Sequence, residues 1–147
     1  MNLTLRPATP TDADFLFNVL KITMREYVEP LLGPWEDAHH RQRFDATFNP
    51  ADTQVIVVDG KDAGFLVVER PPHETFLSKI MLLPAHQGRG IGADLVRDLI
   101  AESHAAGKPV RLRVLKGNPA KSLYERLGFV VIEEHDVRYI MRCDPPT

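Results

Sequence analysis

The sequence has a single cysteine, Cys143, and no long apolar run. One cysteine excludes an internal disulfide and a cysteine-rich metal site, so we expect a reducing, cytoplasmic environment. The longest apolar runs hold about four residues, whereas about 20 are needed to span a bilayer. The first residues also lack the charged and then apolar design of a signal peptide. We therefore expect no membrane partner.

The chain also lacks a large excess of positive or negative charge. The chain has 18 Lys and Arg against 20 Asp and Glu, a net charge of −2 and a pI near 6.3, which excludes a global basic field for nucleic acid. The six histidines show no metal-ligand spacing, so no metal is expected. With 147 residues, 44% hydrophobic and 26% charged, the composition predicts a single domain over residues 1–147.

Apolar periodicity and turn residues predict the order of the elements. Strands are expected over residues 3–7, 54–59, 63–69, 76–83, 110–114, 130–134 and 137–141. Helices are expected from 9 toward 27, and over about 36–47, 90–106 and 118–128. Two prolines and a glycine, Pro30, Gly33 and Pro34, should break the first helix. Asp59-Gly60 predicts a hairpin between the second and third strands.

Glycine is concentrated in one stretch, where Gly88, Gly90 and Gly92 occupy alternate positions. The uninterrupted apolar run 80–83 before them predicts a buried strand. Leu95 and later apolar residues recur at helical spacing, and Gly107 suits a C-terminal cap. The stretch is therefore predicted to be a strand, a glycine loop and a helix.

Such a loop is suited to bind an anion. The first N–H groups of a helix have no intrahelical partner, and the helix dipole adds positive charge there. Glycines let a phosphate approach those N–H groups without meeting a Cβ. Arg89 can add charge, and Gln87 can hydrogen-bond outward from the turn. The alternative is a glycine-rich turn that binds nothing.

Two common phosphate loops are excluded. A Walker loop needs Gly-Lys followed by Ser or Thr, but Gly60-Lys61 and Gly107-Lys108 precede Asp and Pro. A Rossmann loop needs Gly-x-Gly-x-x-Gly on an early strand, and this spacing is Gly-x-Gly-x-Gly past mid-chain.

Two segments resemble signatures of one superfamily. Gln87–Ala93 resembles the Gln/Arg-x-x-Gly-x-Gly/Ala signature of the GNAT N-acetyltransferases, which binds the pyrophosphate of acetyl-CoA. Asn118–Phe129 resembles the family's Asn…Ala…Leu-Tyr-Glu-x-Leu-Gly-Phe segment, and the two segments come in the family's order. The resemblance implies an α/β (α+β) GNAT fold. It would have a mixed, mostly antiparallel sheet of six to seven strands, about four flanking helices and a splayed strand pair that holds the CoA arm.

The resemblance also implies a set of residues that contact acetyl-CoA. The residues expected to contact the pyrophosphate are Gln87, Gly88, Arg89, Gly90, Ile91, Gly92 and Ala93. Main-chain groups of Ile80, Met81 and Leu82 are expected to pair with the pantetheine arm, while their side chains belong to the core. Asn118 is expected to touch the CoA arm, although its role as a helix cap requires no ligand.

Tyr124 is the expected catalytic residue. By resemblance, its phenol protonates the departing CoA thiolate or donates a hydrogen bond to it. The alternative is a core tyrosine with a satisfied hydroxyl, because Ala120, Leu123, Tyr124 and Leu127 form one helical stripe. The general base is open. Arg113 stands where some family members carry a glutamate, and neither Glu26, Glu29 nor His73 is singled out by spacing.

An acidic and aromatic segment follows the first helix. Glu26, Tyr27 and Trp35, with Glu29, could bind an amine acceptor through charge and cation–π contact. The alternative is that the aromatic residues close two helices over the sheet and that the glutamates are solvated.

The resemblance implies direct transfer of acetyl from acetyl-CoA to a primary amine of a small molecule or peptide, through a ternary complex. Family members often form a homodimer, and the sequence leaves the oligomeric state of this chain open. The rival function is a non-catalytic acyl-CoA-binding module that senses or regulates.

Overall fold

The computed structural model describes all 147 residues and contains seven strands and four α-helices. The strands are β1 Leu3–Pro7, β2 Thr53–Val58, β3 Lys61–Glu69, β4 Thr75–Leu82, β5 Val110–Leu115, β6 Val130–Glu134 and β7 Arg138–Cys143. The helices are α1 Ala13–Leu32, α2 Asp37–Thr47, α3 Ile91–Ala105 and α4 Ala120–Arg126.

The strands form one mixed sheet in the order β1-β2-β3-β4-β5-β7-β6. The pairs β1–β2, β2–β3, β5–β7 and β6–β7 are antiparallel. The pair β4–β5 is parallel, and its register runs over three residue pairs, from Thr75–Val110 to Leu77–Leu112. The predicted fold class is confirmed, with its mostly antiparallel sheet and four helices.

The chain divides into two compact units. The first comprises residues 1–67 and 79–89, and the second comprises residues 68–78 and 90–147. Strands β3 and β4 each run from one unit into the other. The expectation of a single domain over residues 1–147 stays a prediction.

The core of the first unit joins α1 and α2 to β2 and β3. Its buried members are Ala8, Leu16, Phe17, Val19, Phe44, Val55 and Phe65. The rings of Phe17 and Phe44 lie 5.8 Å apart at a tilted angle, which is favourable for aromatic pairs.

Helix α1 is longer than predicted. A 3₁₀ turn, Pro10–Asp12, leads into it, and the Asp12 carboxylate accepts from the Thr9 N–H at 2.8 Å, so the predicted cap region is confirmed. The helix does not stop near Tyr27 but continues through Pro30 to Leu32. A proline removes one backbone hydrogen bond, and the helix continues because Gly33 N–H still bonds to the Glu29 carbonyl. Gly33, at φ 89°, then ends it.

In the second unit, α3 buries the stripe predicted from its periodicity. Its buried residues are Ile91, Leu95, Val96, Leu99 and Ser103. Beyond its last residue, Gly107 adopts φ 73° and the Lys108 N–H bonds to the Ser103 carbonyl at 3.0 Å. This is the Schellman arrangement, so the predicted glycine cap is confirmed. No helix in the chain is both long and apolar enough to cross a membrane.

The burial of β4 differs from expectation. Its buried residues are Thr75, Phe76 and Leu77, whereas Ile80, Met81 and Leu82 are half-buried. Met81 packs against the core of the first unit, as predicted, and the prediction of core side chains was wrong for Ile80 and Leu82. A continuous apolar run is typical of a strand buried on both faces, but the run itself does not show whether other elements cover both faces.

Candidate functional site

The glycine loop links the end of β4 to the start of α3. It contains a short 3₁₀ turn, Pro84–His86, and then residues 87–90. Gly88 has φ 74° and Gly90 has φ 80°. Both values lie in the left-handed region, which costs other residues about 1–2 kcal/mol. The loop's path therefore depends on glycine at these two positions.

The loop presents unpaired N–H groups to open space. Asp94 N–H is the first donor at the helix start with a backbone partner, the Gly90 carbonyl at 3.0 Å. No N–H from Gly88 to Ala93 donates to a protein acceptor. No atom lies within 4 Å of the position that a Cβ would take at Gly88, Gly90 or Gly92. With the helix dipole, these six donors form a suitable site for an anion.

Two side chains of the loop have different surroundings. The Gln87 amide does not point outward as predicted, because its Nε2 donates to the Leu82 carbonyl at 2.9 Å. Gln87 thus joins the start of the loop to the strand before it. Arg89 is exposed and forms no hydrogen bond or ion pair with the protein. Its positive charge acts on Asp59 only through space, so the guanidinium is available to an anion at the N–H groups.

Close contact between β3 and β4 depends on a glycine that sequence reasoning missed. Gly64 lies against the backbone of Met81 and Leu82, and any Cβ there would collide with the Met81 carbonyl. The Leu83 N–H donates to the Ala63 carbonyl at 2.8 Å beside this contact. A lone glycine within a strand pattern is the signal that could have indicated it.

Tyr124 is buried, and its hydroxyl bonds to no protein group. The ring meets Phe129 edge-on, with centroids 5.7 Å apart, and the residue is 8% exposed. Burial raises the pKa of Tyr124 to about 12, so the phenol remains protonated near neutral pH. The hydroxyl is not one of the buried side-chain atoms that lack a partner, so solvent reaches it, and the catalytic role of Tyr124 stays a prediction.

Asn118 caps α4 from just before its first turn. Its Oδ1 accepts from the Ala120 N–H at 2.9 Å, and its backbone carbonyl accepts from the Lys121 N–H at 3.2 Å. Gly128, at φ 103°, follows the helix, as predicted. The cap employs the side-chain oxygen of Asn118, and its amide nitrogen has no protein partner.

No carboxylate occupies the β5 position at which some GNAT proteins carry a glutamate. Arg113 is there, with its guanidinium 5.1 Å from the Phe76 ring centre. His73 is exposed and lies 3.7 Å from Glu74. Glu74 itself is bound to Arg111. The general base therefore stays open.

The expected acceptor residues fall into two groups. Trp35 is packed: its ring stacks on His40 at 3.7 Å, and its Nε1 donates to Asp37 at 3.0 Å. Glu29 accepts from the Trp35 N–H at 2.8 Å and pairs with Arg25. These contacts match the alternative in which Trp35 closes the helices.

Glu26 and Tyr27 are arranged differently from Trp35. Glu26 is exposed and lines a groove on α1 with Ile22 and Arg25. Tyr27 is half-buried, and burial followed by the charge of Glu26 raises its pKa. Glu26 is exposed, whereas the carboxylate of Glu29 is held by the Trp35 N–H and by Arg25.

Comparison with known proteins agrees with this geometry. The sequence matches the acetyltransferase (GNAT) domain family over residues 51–131. A mycothiol acetyltransferase of Corynebacterium glutamicum is 34% identical over 112 residues, 74% of this chain and 38% of the relative. A ribosomal protein bS18-alanine N-acetyltransferase of Haemophilus influenzae is 32% identical over 84 residues, 56% of each chain. The matches thus span about two fifths and just over half of these relatives.

The fold has a close structural counterpart. It is the crystal structure of a PaiA N-acetyltransferase from Thermoplasma acidophilum in complex with coenzyme A. The two structures superpose with a TM-score of 0.77 at 16% sequence identity, and the match covers 98% of this chain and 99% of that one. At this identity the likeness concerns the fold. The family match covers more than half of the chain and includes both the glycine loop and the Tyr124 segment. The protein therefore belongs to the GNAT acetyltransferase family.

Proposed function

We propose that this chain is an N-acetyltransferase that moves acetyl from acetyl-CoA directly to a primary amine of a small molecule or peptide. The observation that carries the proposal is the row of six unpaired N–H groups from Gly88 to Ala93, with open space beside Gly88, Gly90 and Gly92. A diphosphate matches such a row in charge and in hydrogen-bonding capacity.

The residues present fit acetyl-CoA as the co-substrate. The loop glycines leave room for a pyrophosphate, and Arg89 adds a free positive charge. Main-chain groups of Ile80, Met81 and Leu82 are proposed to contact the pantetheine arm. The Leu82 carbonyl already accepts from Gln87, so the contact of Leu82 would use its N–H. The free amide nitrogen of Asn118 is available to the same arm.

Tyr124 is proposed to act as a hydrogen-bond donor to the leaving sulfur. A free thiol has a pKa of about 8.5, far below that of the Tyr124 phenol, about 12. The proton is therefore more stable on the phenol than on the thiolate. Tyr124 can stabilise the developing negative charge without giving up its proton. The neutral amine attacks the thioester carbon, the C–S bond breaks, and the proton that neutralises the thiolate is the one the nitrogen loses as the amide forms.

Direct transfer is favoured over a covalent enzyme intermediate. Cys143 is buried, and burial raises the pKa of its thiol. A protonated, buried thiol is a poor nucleophile. Attack by the acceptor amine on the thioester, within a ternary complex, requires no enzyme nucleophile.

The acceptor is proposed to be an amine of either a small molecule or a protein. The two relatives are named for mycothiol and for a ribosomal protein alanine, so their names support neither class over the other.

The test has two parts. Calorimetry with coenzyme A should give saturable binding to the wild-type chain, and a panel of primary amines with acetyl-CoA should release free thiol. Absence of any heat of association would overturn the proposal. Binding without turnover on a broad panel would favour the rival function, a non-catalytic acyl-CoA-binding module.

A further inference from the structure

One side of β5 and β7 in the second unit carries four arginines. The β5–β7 register places Arg111 opposite Arg142, Arg113 opposite Ile140 and Leu115 opposite Arg138. Directly opposed residues project from the same side of a sheet, and so do residues two apart on one strand. This side, with Arg111, Arg113, Arg138 and Arg142, is called the arginine face below.

Two of these arginines already have carboxylate partners. Arg111 forms two hydrogen bonds with Glu74, at 2.8 and 3.1 Å. Arg142 pairs with Asp144, with its shortest contact at 2.6 Å. These pairs neutralise their own charges and leave the other two arginines as the free cations of the face.

Arg113 and Arg138 have no hydrogen-bonded or ion-paired partner in the protein. Two carboxylates lie in their neighbourhood. Glu133 of β6 is opposite Ile140, on the same side of the sheet, and lies 3.2 Å from His135, while Glu69 acts on Arg113 only through space. Neither forms an ion pair with Arg113 or Arg138, and the two guanidiniums repel each other.

Arg113 is an exposed residue whose guanidinium contacts an aromatic ring. Its guanidinium lies over the Phe76 ring, which Arg111 also covers at 4.5 Å. Ile140, opposite Arg113, is 6% exposed and gives the face an apolar floor. Partial burial, followed by the charges of Arg138 and Arg111, lowers the pKa of Arg113, although a guanidinium stays charged in proteins. An anion bound here would relieve this repulsion.

We propose that Arg113 and Arg138 bind an anionic group, a carboxylate or a phosphate, on the acceptor amine. The inference rests on the proposed function and names its substrate class: an amine that also carries an acid group. A guanidinium matches the oxygens of either anion in a two-bond fork. Arg113 follows directly after Leu112, the last β5 residue in register with β4, and occupies the position that resembles the family's glutamate.

The main experiment compares matched acceptors with acetyl-CoA. The pairs are phosphoethanolamine with ethanolamine, and an amino acid with its amide. The wild-type chain should prefer the anionic member of at least one pair in kcat/KM, and the preferred pair identifies the anion. R113Q and R138Q should each reduce that preference about ten- to a hundredfold, mainly through KM, with coenzyme A affinity unchanged. R113K, which keeps the charge without the fork, should lie between.

The matched control is R43Q, which removes an exposed arginine of α2 that has no ion pair. It should keep the preference of the wild-type chain. Equal use of both members of each pair, or an unchanged preference in R113Q and R138Q, would overturn the inference. A loss of coenzyme A affinity in these variants would overturn it too, because the arginines would then serve the co-substrate.

A binding measurement separates this inference from the proposed function. The arginine Nε–H NMR signals are followed while acetate or inorganic phosphate is added to the wild-type chain. Saturable shifts at Arg113 and Arg138, absent at Arg43, support the anion site even if no acceptor is turned over. Absence of saturable shifts with both anions would contradict it, whatever the outcome with coenzyme A.

Discussion

At the scale of single residues, Tyr124 is the most informative side chain. Its ring is buried and packed on Phe129, and its hydroxyl has no protein partner. The hydroxyl is therefore available to donate a hydrogen bond to a ligand. We expect Tyr124→Phe to lower kcat about 10²- to 10³-fold, the range typical of removing one hydrogen-bond donor from a developing negative charge. Coenzyme A affinity should stay the same, because the loop N–H groups are untouched. Thiol-release kinetics and calorimetry measure the two effects.

Tyr139→Phe is the control for that substitution. Tyr139 also has a hydroxyl without a hydrogen bond, but its ring lies beside Lys116 and Lys121. The control should keep kcat within about twofold, in line with the small effects of substitutions away from such sites. Unchanged turnover in Tyr124→Phe would remove Tyr124 from the mechanism.

The glycine loop allows a second test with a closely matched control. Gly90→Ala adds a methyl group to the open space beside the N–H groups and strains a left-handed residue. Gly107→Ala causes the same kind of strain, since its φ is 73° against 80° for Gly90, but at the far end of α3. Both should lower the free energy of unfolding by about 1–2 kcal/mol.

The two glycine variants should differ in ligand binding. Gly90→Ala should weaken coenzyme A by about tenfold or more, equivalent to roughly 1.4 kcal/mol, and Gly107→Ala should bind as the wild type does. Calorimetry and denaturant unfolding measure the two quantities. Equal affinities in both variants would show that the space beside Gly90 is not a phosphate site.

The sequence predicted residue types better than it predicted side-chain directions. Glycine at 88 and 90 follows from the motif, but the turn of Gln87 back to Leu82 depends on where the strand ends in space. The unpaired Tyr124 hydroxyl and the isolation of Arg138 also depend on neighbours that are distant in sequence. The hydrogen-bond and ion-pair partners of a side chain can therefore be identified only from the folded structure.

At the scale of elements, the guanidinium of Arg6 connects the start of α1 to the sheet. Arg6 on β1 bonds to Asp12 at 2.9 and 3.0 Å and to Asp62 of β3 at 2.9 Å. Hydrogen bonding from Arg6 lowers the pKa of Asp12 to about 2. A carboxyl whose pKa is lowered by folding stabilises the native state above its ordinary value, near 4, and less so as the pH falls toward 2.

We expect Asp12→Asn to lower the free energy of unfolding by about 1–2 kcal/mol at pH 7, a value reduced for the partial exposure of Arg6. Between pH 4 and pH 2 the difference from the wild type should shrink, because the wild type then loses the same charge. Urea unfolding at several pH values measures this. Asp98→Asn, on the exposed side of α3 and without an ion pair, is the control. A pH-independent difference would contradict the ion-pair account.

Element bounds were predictable where local chemistry decides them. Asp59-Gly60 gives the β2–β3 turn with φ 51° and 79°, the signs that a type I′ hairpin requires. The end of α1 was not predictable in this way. Pro30 signals a break locally, but packing of Val28, which is 8% exposed, and the Gly33–Glu29 bond carry the helix past it.

At the scale of the whole molecule, kinetics can test whether acetyl is transferred directly to the acceptor or through a covalent enzyme intermediate. We expect initial rates with varied acetyl-CoA and acceptor to give intersecting lines, as in a ternary complex. Cys143→Ala should keep most of the activity and lose only the stability of a small buried side chain, about 1 kcal/mol. Parallel lines, which indicate a covalent intermediate, together with inactive Cys143→Ala would contradict direct transfer.

The fold class was predictable because two separate motifs and the strand–helix order agreed with one another. The partial exposure of Ile80, Met81 and Leu82 was not predictable, since an apolar run contains no information on which faces of a strand are covered. The acceptor class was not predictable either, because Arg113 and Arg138 lie 25 positions apart and meet only through the β5–β7 register.

The bond from Gln87 to the Leu82 carbonyl has a consequence for affinity. It holds the Gln87 side chain against the end of β4 in the free chain, with no ligand needed to place it. The conformational entropy of that side chain is therefore lost on folding and not on association. Coenzyme A should consequently bind without the cost of ordering Gln87.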